Sequence, residues 1–71
     1  MAHGARYEIR LQGSVSQEIL DDFEQFDSDA GPVETVLHGT VRDQAALHRL
    51  LDRIEALGLE LVAVRKLPGQ S

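Results

Sequence analysis

Cysteine and tryptophan are absent from this 71-residue chain, which has one tyrosine, two phenylalanines and two prolines. Without cysteine there is no disulfide staple and no cysteine-based zinc site, and the absence fits a cytoplasmic protein. No apolar run approaches the roughly 20 residues of a membrane span. The opening MAHGARYEIR has no hydrophobic signal region, so neither export nor a membrane partner is expected. Basic residues interleaved with aromatics are also missing, which argues against nucleic acid as a partner.

What charge there is lies unevenly. The formal net charge is −5, with eight acids and two arginines in residues 1–34 against four acids and five bases in residues 35–71. Glu18, Asp21, Asp22, Glu24, Asp27, Asp29 and Glu34 form an acidic run without a base among them. Such a run reads first as a solvated face, and secondly as a docking surface for a basic protein partner. At this length one domain is expected, over residues 6–67, between disordered tails at 1–5 and 68–71. A chain so short buries only about 60% of its unfolded surface. Homodimerisation is the common way left to enlarge its core.

Residues 35–67 organise the rest. Asp43 stands where its carboxylate can cap a helix. Ala46, Leu47, Leu50, Leu51, Ile54 and Leu57 then fill one helical face, an arc of roughly 140°. Gln44, His48, Asp52 and Glu55 flank it on one side, Arg49 and Arg53 on the other. Gly58 supplies the left-handed stop. Strict alternation marks a strand at 7–12, with Tyr7, Ile9 and Leu11 on one face and Glu8, Arg10 and Gln12 on the other. Ser14 and Gln17 have the spacing of a capping box, which starts a first helix near Val15 that runs into the low twenties. Further strands are expected at 33–41 and 59–67. Residues 23–29 fit either a last helical turn or a short edge strand. The fold class is therefore α+β: a ferredoxin-like βαββαβ two-layer sandwich if that strand forms, or a three-stranded βαβαβ layout with both helices on one face if it does not.

The segment TVLHGTVRDQAALHRLLDRIEALGLELVAV, with Tyr7-Glu8-Ile9-Arg10-Leu11-Gln12-Gly13 before it, resembles a group of small uncharacterised bacterial proteins. These carry T-V-L-x-G-x-V-x-D-Q-A-A-L-H, then a leucine-rich helix and a terminal strand, after an N-terminal Y-x-I-x-V/L-x-G strand. The resemblance covers most of the chain, most specifically residues 35–51, and departs over 26–34, where those proteins carry a longer, tryptophan-containing segment. It implies the fold and no reaction.

Candidate chemistry is thin. Asp43-Gln44-Ala45-Ala46-Leu47-His48 would offer a helix N-terminus to a ligand, but the Asp43 carboxylate competes for the same amides. His3, His38 and His48 have no zinc-like spacing. Asp27-Ser28-Asp29-Ala30-Gly31 has the first acids of a calcium loop, yet the next ligand and the glycine after it are missing, with Gly31 and Pro32 in their places. The open sheet face has no aromatics on which RNA bases could stack. The turn Leu11-Gln12-Gly13-Ser14-Val15 lacks the arginine of an acylphosphatase cradle. The chain thus reads as non-enzymatic, with no catalytic residue, cofactor or metal.

The leading expectation is a protein-interaction or dimerisation module. The alternative is an ACT-like small-molecule-sensing domain, whose ligand would lie at a subunit interface near Gly13 and the start of the second helix. Regular alternation along the last strand puts Leu59, Leu61 and Ala63 inside and leaves Val62 and Val64 outside. Val36, His38, Val62 and Val64 are accordingly the expected interface, buried between two copies by sheet stacking or by pairing of last strands.

Overall fold

The computed structural model describes residues 4–68. The alternating segment forms β1 (Ala5–Gln12), with Ile9 and Leu11 fully buried. Ala5, expected in the tail, opens this strand and pairs with Val41. Of the other residues assigned to frayed ends, Gly4 and Pro68 are in neither helix nor strand, and 1–3 and 69–71 lie outside the described residues.

The first helix is shorter than its apolar stripe suggests. α1 (Gln17–Leu20) makes one turn and tightens into a 3₁₀ turn over Asp21–Phe23. Its cap is Ser16 rather than Ser14: the Ser16 Oγ accepts from the Ile19 amide at 3.4 Å. Ser14 cannot serve because Thr35 holds that bend. The fully buried Thr35 hydroxyl donates to the Gly13 carbonyl at 2.9 Å and accepts from the Val15 amide at 3.1 Å. A polar group in the core is tolerated there because both its donor and its acceptor are satisfied.

Residues 27–30 settle the ambiguous stretch as an edge strand, β2 (Asp27–Ala30), paired antiparallel with β3 (Glu34–Val41). Phe26 enters the core just before it. Its ring lies over Gly39 of β3, where a Cβ would stand 2.4 Å from the ring Cδ2. Val33, expected in β3, is left exposed in the preceding turn.

α2 (Gln44–Ala56) follows its sequence signals closely. The Asp43 carboxylate accepts from the Ala46 amide at 2.8 Å, and Leu47, Leu50 and Ile54 face inward. Gly58, at φ +79°, reverses the chain. The Gly58 amide bonds the Glu55 carbonyl at 3.0 Å and the Leu59 amide bonds the Ile54 carbonyl at 3.2 Å, the two bonds of a Schellman stop. Leu57 forms the cap residue itself and points away from the core, 37% exposed.

β4 (Leu61–Lys66) completes a four-stranded antiparallel sheet in the order β2-β3-β1-β4. The fold is α+β, with both helices packed on one sheet face. Phe23, Phe26, Leu47, Leu50 and Ile54 cover Ile9, Leu11, Leu37 and Val41. Because α1 is so short, this cover stops above the central strands. No residue of β4 is fully buried.

Candidate interaction surface

The open face of the sheet is an ion lattice. Glu8 lies at its centre on β1, flanked by His38 of β3 and Arg65 of β4 in register. Its carboxylate accepts from the Arg10 Nε at 2.7 Å and from the Arg65 Nη2 at 3.2 Å, and the His38 Nε2 stands 3.8 Å away. Arg10 also donates to Glu34. One network therefore ties β3, β1 and β4 together, and Glu8, although only 7% exposed, is fully partnered.

The Arg10 hydrogen bond holds the Glu8 carboxyl below its ordinary pKa of 4.5 against some desolvation, with help from Arg65; the bonds to Glu8 and Glu34 raise that of Arg10. The folded state thus binds the Glu8 proton less readily than the unfolded chain. Stability from this group is complete above about pH 4.5 and is lost as pH falls through the lower folded value. The chain has eleven other acidic side chains, so the Glu8→Gln variant is the reference. On acidification from pH 6 to pH 3, the melting temperature of the parent should fall more steeply than that of Glu8→Gln. Parallel curves would remove Glu8 from the account.

The four expected interface residues do not share one surface. Val36 and His38 stand on the open face, opposite Arg10 and Glu8. Val64 does not: it pairs with Ile9 and packs against the core from the helix side. Ala63, expected inside, faces the solvent side beside Arg10. The cause is a bulge. Arg10 pairs with Ala63 but Leu11 pairs with Leu61, so Val62 is an extra residue and the inward and outward positions exchange across it. Val62 itself is 49% exposed.

The apolar surface lies instead along β4. This strand ends the sheet, so the backbone groups on its outer side have no strand beside them among the described residues. Leu61 is 42% exposed, and Leu51 and Leu59 are only half covered. Between the C-terminal half of α2 and the start of β4 runs a groove of about 400 Å³, floored by Leu51, Ile54, Leu59 and Leu61. Its rim carries Asp52, Glu55 and Glu60. None of these three acids takes part in an ion pair among the described residues, in contrast to Glu8. The other edge strand, β2, is guarded by Asp27 and Asp29 and is exposed throughout.

Other sequence candidates are dispersed. Gln44 and His48 are exposed on α2, beside a capping carboxylate that is already engaged. Gly13 bonds Val33 at one end of the sheet, whereas α2 starts beyond Val41 at the other. Seven residue steps along β1 separate those ends by about 23 Å, so one copy does not join them into a ligand site. The acidic run acquires bases through the fold: Arg53 lies 3.3 Å from Asp22, and Arg10 meets Glu34. Among the described residues no cluster of three or more histidine or acidic side chains could hold a metal ion, and no helix is long and apolar enough to cross a membrane.

Residues 6–65 match the model of a family described as Domain of unknown function (DUF8691). The chain belongs to that family. No curated protein and no solved structure matches it. The DUF8691 match takes in the ion lattice, the bulge and the groove alike, ending at Arg65 on β4.

Proposed function

We propose that this chain is a non-enzymatic, cytoplasmic interaction module of ferredoxin-like architecture that acts as a homodimer through the edge of β4. The element order and the β2-β3-β1-β4 sheet, antiparallel at every step, support the ferredoxin-like reading. The carrying observation is the unpaired, largely apolar β4 beside a half-covered groove, while the opposite edge is blocked by acids. Stacking of open faces is the poorer mode of association, since it would bury the Glu8–Arg10–Arg65 lattice against its own copy. Strand pairing across β4 instead satisfies idle backbone groups and enlarges a core that is small for its chain length. Each copy then keeps exposed Glu18, Asp21 and Glu24 available to a basic protein partner.

Light scattering at micromolar concentration tests the reading. The expected mass is twice 7.8 kDa. Val62→Asp, a change at an exposed bulge position, should give a folded monomer; a parent protein that is monomeric at about 100 μM, a hundredfold above a micromolar Kd, would overturn the proposal.

A further inference from the structure

Lys66 is the chain's only lysine. It stands opposite Tyr7, whose side chain packs against the core, so Lys66 lies on the helix side of the sheet. It is exposed and makes no ion pair among the described residues. Its neighbour Arg65 faces the other way, toward Glu8. At the far end of the same strand, again on the helix side, lies the groove rimmed by Asp52, Glu55 and Glu60. Among the described residues, β4 thus has an unpaired cation at its end and unpaired anions beside its start, on α2 and in the turn before it.

We infer that each groove receives the lysine of a second copy: two β4 strands pair antiparallel about a two-fold axis, and the partner's Lys66 enters the acidic rim while its own groove takes Lys66 in return. The inference rests on the dimer proposed above and specifies how it closes. Antiparallel pairing reverses one strand against the other, so the Lys66 end of each must lie beside the Leu59–Leu61 end of its partner. Both features are on the helix side, so the pleat does not have to be broken to bring them together. Within one copy, five residue steps separate Lys66 from Leu61 by about 16 Å, too far for Lys66 to serve its own groove. The apolar floor excludes water from the contact, and the rim sets its charge and therefore its register.

A zero-length carbodiimide cross-link reads this contact directly. In a mixture of ¹⁵N-labelled and unlabelled protein, peptide mapping should find Lys66 joined to Glu55, Asp52 or Glu60 of the other isotope. Lys66→Glu should raise the dimer Kd about tenfold or more, because two symmetry-related attractions become repulsions. Adding Glu55→Lys to Lys66→Glu should return Kd to within about threefold of the parent value, and circular dichroism confirms that each variant is folded. A dimer that resists Lys66→Glu and forms no Lys66 cross-link would overturn this docking while leaving the β4 dimer standing. A protein that is monomeric throughout would overturn both.

Discussion

Ile54→Ala is expected to lower unfolding free energy by about 2–5 kcal/mol, the usual loss for a buried isoleucine that leaves a cavity. Ile54 is 1% exposed, the most buried residue of α2, with Leu47 and Leu50 somewhat less so. It also lies at the Schellman stop, where its carbonyl holds the Leu59 amide. Domains of this size have about 0.05–0.15 kcal/mol of stability per residue, so the loss is comparable with the whole. Urea unfolding measures it. Leu57→Ala, at an exposed cap position on the same helix, is the control and should change stability by no more than about 0.5 kcal/mol. Equal effects from the two would mean that the inward face of α2 is misassigned.

Gly39→Val should cost a similar amount for the opposite reason, too much volume. The Phe26 ring occupies the space a side chain would need: the built Cβ lies 2.8 Å from ring Cγ as well as 2.4 Å from Cδ2. The obstructing atoms, Cε2 among them, run along one edge of the ring from its root, so a small torsion cannot clear them. Overpacking of this kind costs about 1–3 kcal/mol, and expelling Phe26 to relieve it forfeits about 1.5–3 kcal/mol of burial. Because Phe26 leads directly into β2, the exchange of β2 amides should quicken before the rest of the sheet opens. Phe26→Ala already lacks the ring, so Gly39→Val should cost little in that background. Additive losses in the double-mutant cycle would show that the ring and the glycine are not in conflict.

Local signals in the chain were sufficient where the structure is local. α2 follows from Asp43, its apolar face and Gly58, within a residue of its observed bounds, and β1 from alternation, although it begins ahead of Tyr7, at Ala5. β2 was ambiguous because Asp27-Ser28-Asp29-Ala30 has poor strand propensity and is a strand by virtue of pairing with β3. The Ser14 cap failed to a hydroxyl on a distant strand, that of Thr35, which takes the Val15 amide. At the candidate surface, the exposure of Val62 was legible, whereas the bulge that turned Val64 inward leaves no mark in residue type. The Glu8 lattice was equally hidden, since its members come from three strands separated by the helices.

The strand order also bears on how the chain finds its structure in time. β2 and β3 are joined by a short turn and can pair as soon as both exist. β1, in contrast, has no neighbour near it in sequence: it waits for β3, and the Glu8–Arg65 contact with β4 closes a separation of 57 residues. Loop-closure entropy must be met before those pairings return anything. During synthesis β1 therefore emerges as an alternating strand with both edges unmatched; β3 takes one of them, and the other stays open until β4 has been made. Folding should begin at the β2–β3 hairpin and end with β4, so β4 is also the strand whose early departure would first expose β1 to aggregation.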